Sequence, residues 1–249
     1  MAEAASRQQL EMLERLIHST DEADLRAAAA NPHLNEDLAL ALLKRRDISS
    51  NVLQDLAKNT EALKTRSILV ALVCHPRTPR FISLPASRTL HTFEMMNVAL
   101  QPAVPTDLKI AVEQGIIDRL ENMSLGERIT LAKRGSTRIA ERLLRDPELQ
   151  VIQLALVNPH LTEACVVRTL MIEDEVDERF VKLVAEHPKW SLRTDVRAAL
   201  LRNPKTPMGT AINIVHKLPV DVAREALKNS NLPTSVKNYL MIEVQNRAR

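Results

Sequence analysis

Aromatic side chains are almost missing from this 249-residue chain: one Trp, one Tyr and three Phe, 2% of the residues. So few rings cannot anchor a large mixed core, so Leu, Val, Ile and Ala must fill it, within an ordinary apolar fraction of 45%. Glycine is scarce too. Four glycines leave little room for hairpin turns or phosphate-cradling loops. The two cysteines, Cys74 and Cys165, lie far apart in apolar helical stretches, with neither metal-ligand spacing nor a disulfide framework. They read as free buried thiols in a reducing cytoplasm. No charge of one sign dominates: 34 basic and 31 acidic residues give +3, which permits an anionic partner without demanding one. No run approaches the length of a membrane span, and Met1–Leu10 has no apolar stretch of the signal-peptide kind, so a cytoplasmic protein without membrane contact is expected. Thirteen prolines remain to punctuate the chain, and with so little glycine this predicts an all-α protein.

What the chain has in abundance is one recurring turn. It reads Asn31-Pro32-His33-Leu34, His75-Pro76-Arg77-Thr78-Pro79, Gln101-Pro102-Ala103-Val104-Pro105, Asn158-Pro159-His160-Leu161, His187-Pro188, Asn203-Pro204-Lys205-Thr206-Pro207 and Asn229-Ser230-Asn231-Leu232-Pro233. A residue before proline is pushed out of the α region, so a helix stops there. Proline lacks an amide donor and suits the first turn of a helix, so Pro79, Pro105, Pro207 and Pro233 can each start the next one. Thr78, Thr106 and Thr206 are available as caps, as are Asn35 and Ser49 or Ser50 elsewhere. Acids mark other helix starts: Glu36 and Asp37, Asp107, Glu148 and Glu163.

The spacing is repeat-like. Pro76 and Pro102 lie 26 residues apart, as do Pro79 and Pro105, and Pro207 and Pro233. Gaps of 44 (Pro32 to Pro76) and 45 (Pro102 to Pro147) fit two units with one turn written without proline, near Asp47-Ile48-Ser49 and Gly135-Ser136. Two helices of about 10–12 residues and a turn account for about 25 residues, so the expected unit is a helical hairpin repeated roughly eight times over a single domain, 1–249. A leucine-rich repeat would need an L-x-x-L-x-L strand and an Asn or Cys ladder, and neither is expected here; tetratricopeptide and ankyrin units are longer.

The segments Asp195-Val-Arg-Ala-Ala-Leu-Leu-Arg-Asn-Pro-Lys-Thr-Pro207 and Asp221-Val-Ala-Arg-Glu-Ala-Leu-Lys-Asn229 resemble the V-R-x-A-x-A-x-N-P-x-T-P pattern of bacterial HEAT-like repeats of the leucine-rich-repeat-variant type. The resemblance covers about residues 24–80 and 136–240. It implies a right-handed α-solenoid of paired helices. The iron–sulfur cofactor of that family's founding member depends on an N-terminal cysteine cluster that this chain does not have, so no cofactor is implied.

Residues 80–135 depart from the pattern. Pro85 falls where a helix should be in mid-course and is expected to kink or end it, Gly115 interrupts the helix from Asp107, and Phe93, Met95 and Met96 add bulk. Either a special site or a bend in the superhelix would produce this. Arg77 and Arg80 stand at a helix start, where acids are usual, and with Arg88 and His91 they form a candidate anion site; pairing with acids of a neighbouring repeat is the alternative. Arg134, Arg138, Arg142 and Arg145, with Lys133 beside them, form a basic row in which Arg138, Arg142 and Arg145 share a helical face. Lys189, Arg193, Arg197 and Arg202 repeat it loosely. Such rows suit a nucleic-acid backbone or an acidic protein, or are a solvated face balanced by Glu141, Asp146 and Glu148. The run Glu173–Glu178 reads as a solvated acidic turn.

No motif requires an enzyme, and no metal-ligand cluster is written in the sequence. Bacterial alkylpurine DNA glycosylases built as α-solenoids resemble the chain in size, helix content and basic strip. Their lesion site needs several aromatic residues and an acid, whereas Trp190 and Tyr239 stand far apart here. The expected function is a scaffold or adaptor with a protein partner; binding of nucleic acid or a phosphate ligand is the alternative.

Overall fold

The computed structural model describes residues 2–172 and 176–248, and these are all-helical, with no strand among them. Contacts divide the chain into two compact units, Met1–Asp118 and Arg119–Arg249, so the boundary falls inside the irregular stretch. The first unit holds α1 (Ala2–His18), α2 (Glu22–Ala30), α3 (Glu36–Lys44), α4 (Ser50–Lys58), α5 (Thr60–Leu63), α6 (Arg66–Cys74), α7 (Arg80–Arg88), α8 (Thr92–Leu100) and α9 (Thr106–Ile117). The second holds α10 (Leu125–Arg134), α11 (Thr137–Leu143), α12 (Leu149–Leu156), α13 (Glu163–Leu170), α14 (Glu178–Glu186), α15 (Thr194–Arg202), α16 (Met208–Lys217), α17 (Val220–Lys228) and α18 (Thr234–Arg247). Short 3-10 turns lie at Leu120–Asn122 and Trp190–Leu192. None of the described helices is long and apolar enough to cross a membrane.

Most helices are about nine residues long, too short to be stable alone, so tertiary packing must hold them. Helices pack on their sequence neighbour and on the helix after next: α1 on α3, α2 on α4, α6 on α8 and α7 on α9 in the first unit. In the second, α10, α12 and α14 form one series, and α11, α13, α15 and α17 another. The core between them is aliphatic, as the missing aromatics require. Leu25, Ala28, Leu42, Val52, Leu53, Leu56, Ile68 and Leu72 are buried in the first unit, and Val151, Ile152, Val166, Val181, Val184, Val196 and Leu201 in the second. Only Phe180 and Trp190 among the aromatics join it; Phe81, Phe93 and Tyr239 are exposed.

Helices end as the pre-proline rule demands. Asn31, His75, Gln101, His187 and Asn203 all cap C-termini with φ between −69° and −76° and ψ between 122° and 128°. The prolines that follow differ from expectation. Pro79, Pro105, Pro207, Pro219 and Pro233 occupy the N-cap itself, one position before the first helical turn, with ψ near 140°, the extended conformation an N-cap adopts. The threonines do not cap forward either. Thr78 Oγ1 donates back to the Leu72 carbonyl at 2.6 Å, and Thr206 Oγ1 to the Leu200 carbonyl at 2.6 Å, so both close the preceding helix. Asn35 and Ser49 do cap, accepting from the Leu38 and Val52 amides.

The turn side chains also tie each turn to a segment 26 to 33 residues earlier in the same unit. Asn31, Asn158 and Asn203 Oδ1 each accept the amide two residues on, at 2.9, 2.7 and 2.9 Å. His75 and His187 Nδ1 accept the equivalent amides at 3.2 and 3.1 Å. The other end of the side chain reaches that earlier segment. Asn158 Nδ2 donates to the Ala132 and Gly135 carbonyls at 2.7 and 3.1 Å, and Asn203 Nδ2 to Leu170 at 2.6 Å. His75 Nε2 meets the Arg45 carbonyl at 3.0 Å, and Asn59 Nδ2 donates to the Ala29 and Asn31 carbonyls at 3.1 and 2.8 Å. Trp190 does likewise, its Nε1 donating to Leu156 at 2.8 Å. An asparagine–histidine ladder thus satisfies orphan carbonyls of the previous helix, where no ladder was expected from sequence.

Of the two outcomes expected at Pro85, a kink or an end, the structure excludes the end, since α7 runs three residues beyond it. Gly115 does not interrupt α9; a Cβ there would sit 3.4 Å from Met95 Cε, so the bare position receives the Met95 tip between α8 and α9. Met95 and Met96 are buried packing residues, and only Phe93 of that group is exposed.

Candidate functional site

The four residues of the first candidate anion site do not converge. Arg77 Nη1 donates to the Asp47 and Ile48 carbonyls at 3.0 and 3.1 Å, closing the turn before α4. Arg80 opens α7 and pairs through Nε with Asp107 Oδ2 at 2.6 Å, the pairing with a neighbouring acid that the sequence left open. Arg88 ends α7, about 12 Å along the helix axis from Arg80 at 1.5 Å per residue. His91 is the N-cap of α8, and its backbone amide donates to Glu94 at 2.7 Å. Arg45 clamps Asp47 from the other side with 2.7 and 3.1 Å bonds, and this guanidinium holds the Asp47 carboxyl at about 2.

The same stretch instead builds an apolar groove on the first unit. It encloses about 350 Å³ between α4, α6 and α7 and is lined by Leu63, Leu69, Leu72, Phe81, Ile82 and Pro85, with Lys58 also in the lining. Phe81 is 69% exposed, the most exposed large apolar side chain described. Pro85 has no amide hydrogen, so the Phe81 carbonyl lacks its i+4 donor. Sequence reading flagged Pro85 as irregular but not Phe81. A phenylalanine at the second position of a helix, where periodicity does not point it into the core, was the available signal.

The basic row also separates. Arg134 closes α10; Arg138 and Arg142 lie one turn apart on α11; Arg145 stands in the turn that follows the end of α11 at Leu143 and lines one pocket with Arg142. Arg134 and Arg138 are exposed, whereas Arg142 and Arg145 are half-buried. These two line a pocket of about 380 Å³ in the second unit with Leu120, Glu121, Arg128, Leu143, Asp146 and Pro147. Arg128 was not singled out from sequence, and Asp146 was named only as an acid balancing the basic row. Asp146-Pro147 is the asparagine–proline turn with the amide replaced by an acid. Its Oδ1 still accepts the Glu148 amide at 2.9 Å, but a carboxylate cannot donate backwards. Arg128 Nη1 meets both carboxylate oxygens instead, at 2.6 and 2.7 Å, in a pair whose side chains are 15% and 4% exposed.

In the looser second row, Arg197 donates to the Ser191 and Lys217 carbonyls, and Lys189 Nζ lies 3.9 Å over the Trp190 ring. Trp190 is 1% exposed, which removes the one tryptophan as a stacking platform. Cys74 and Cys165 are free thiols; burial pushes Cys74 up to about 11, so it is a packing residue rather than a nucleophile. Of the acidic run, Glu173–Glu175 lie outside the described residues, Val176 is buried, and Asp177 caps α14 by accepting the Arg179 amide at 3.0 Å. Among the described residues no three His, Cys, Asp or Glu side chains gather as metal ligands. Compared with protein-family models, curated proteins and solved structures, the chain finds no match in any of the three.

Proposed function

We propose that the chain is a HEAT-like α-solenoid of roughly eight helical hairpins that works as a non-enzymatic scaffold, binding another protein through the groove around Phe81. The solenoid reading is supported by the packing of each helix on the one after next, and by turn side chains that reach carbonyls 23–34 residues back. The binding reading is carried by one observation: an apolar groove with a 69% exposed phenylalanine at its mouth, in a chain with five aromatic residues in all. What sets this ring apart from other exposed apolar side chains is its place at a concave apolar site, the usual setting for recognition.

The occupant is an amphipathic helix of a partner protein. A groove of about 350 Å³ accepts a pair of apolar side chains one helical turn apart. Lys58, also in the lining, has a side chain 76% exposed and pairs with Asp55 at 3.3 Å, and an acidic residue beside the apolar pair would share that ammonium. Burying the Phe81 ring contributes about 1.5–3 kcal/mol, enough for ten-fold to hundred-fold in affinity.

A photo-crosslinker at position 81 in the native cell tests this, with one at exposed position 242 as control. A defined protein captured from 81 and not from 242, and bound at least ten-fold more weakly by purified Phe81→Ala, is the expected result. Equal capture from both positions, or unchanged affinity of Phe81→Ala for the captured protein, overturns it.

A further inference from the structure

The arginine pocket of the second unit lies apart from any role in that docking and carries an inference of its own. Its lining holds three guanidinium groups, from Arg128, Arg142 and Arg145, and two carboxylates, from Glu121 and Asp146. Asp146 is already spent: both of its oxygens accept from Arg128. Arg145 is held by interactions of its own. Arg142 is different. It is half-buried in the last turn of α11, and its guanidinium makes no hydrogen bond or ion pair with any described residue. A guanidinium has five donors in a fixed fork, and none of those of Arg142 is taken by an acceptor on a described residue, while Arg128 Nε in the same lining is buried without a hydrogen-bond partner. An anion bound between Arg142 and Arg145 would satisfy that fork.

We propose that this pocket binds a phosphate group, as the free ion or as a small monoester. The fork of Arg142 matches two phosphate oxygens, while the Arg128–Asp146 pair forms a neutral wall that fixes the pocket's shape. At about 380 Å³ the pocket takes a phosphate with a few attached atoms. A phosphodiester backbone fits worse. It needs an open basic strip, but Arg134 lies on a separate helix, and the exposed Glu148 follows the pocket residue Pro147 directly, where it would oppose a chain of phosphates running past the pocket.

Titration calorimetry of the full chain at low salt tests this with inorganic phosphate, O-phosphoserine and a short DNA duplex. Saturable binding of phosphate, of phosphoserine or of both is expected, and tighter phosphoserine binding assigns a monoester as the ligand. Arg142→Gln should weaken it at least ten-fold and Arg142→Lys less, Glu121→Gln should tighten it several-fold by removing the opposing charge, and Arg134→Gln should leave it unchanged. Thermal unfolding of each variant checks that the fold is kept; Arg142 makes no described bond whose loss would unfold it. Absence of saturable phosphate and phosphoserine binding, equal affinity in Arg142→Gln, or duplex binding that Arg142→Gln does not alter overturns the proposal.

Discussion

Replacing Asn158 by alanine removes a ladder rung and tests whether these turns are merely helix breaks or also bonds to earlier segments. The side chain is 1% exposed and makes three hydrogen bonds, two of them as donor to the buried carbonyls of Ala132 and Gly135. A buried bond is worth about 1 kcal/mol net, and a buried carbonyl left without a donor costs about 1–3 kcal/mol. The His160 amide lies beside an exposed residue and recovers water, so the two carbonyls decide the total, at about 3 kcal/mol for Asn158→Ala. Asn158→Asp has the same shape but turns a carboxylate oxygen toward two carbonyl oxygens. At pH 7 its loss should exceed that of alanine, because no arginine stands by as Arg128 does for Asp146. Below pH 4 the gap should narrow, since a protonated carboxyl regains one donor. Urea unfolding followed by fluorescence reads this directly: Trp190 is the single tryptophan, is buried, and bonds to the Leu156 carbonyl two residues from Asn158. A loss under about 1 kcal/mol for alanine, or aspartate equal to alanine at pH 7, would refute the ladder's role.

Two further tests use glycine and histidine. A Cβ at Gly135 would lie 2.5 Å from the Leu131 carbonyl oxygen and 2.8 Å from Ile139 Cγ2, so Gly135→Ala should destabilise by about 1–3 kcal/mol, whereas Gly126→Ala, with nothing within 4 Å, should stabilise by about 0.5–1 kcal/mol in the same melts. Burial holds His75 below its ordinary value, against the pull of the Arg45 carbonyl, so the folded chain binds its proton later than the unfolded chain on acidification. Its contribution is therefore complete above the ordinary histidine value near 6.5, lost as pH falls below it, and level once the folded group is protonated. His187 is lowered by burial as well and shares that window. His75→Asn, which writes the turn as at Asn203, should flatten the fall in stability just below about pH 6.5, and an unchanged slope would assign it to other groups.

The all-helical fold and most helix ends could be read from the chain because they rest on local chemistry. Scarce glycine, pre-proline residues and capping Asn35 and Ser49 act within a few residues of themselves. The same locality explains the misreadings. Thr78 and Thr206 were eligible caps by type, but whether a hydroxyl bonds forward or back depends on where the neighbouring carbonyl lies. Gly115 was read as a break because its partner, Met95, is twenty residues away on another helix. The candidate sites divide along the same line. Arg142 and Arg145 were picked out by spacing, and they line one pocket although α11 ends between them at Leu143. Arg128 carried no sequence signal, since it matters only through a 2.6 Å contact with a residue eighteen positions on.

Sequence alone determined where helices stop and start, that the core must be aliphatic, and that one turn recurs, because torsional preference and side-chain volume belong to each residue. Tertiary structure decided which carbonyls the turn side chains reach and which arginines are spent on carbonyls and acids. Those outcomes depend on burial and distance between segments some twenty to thirty residues apart, which no local pattern contains.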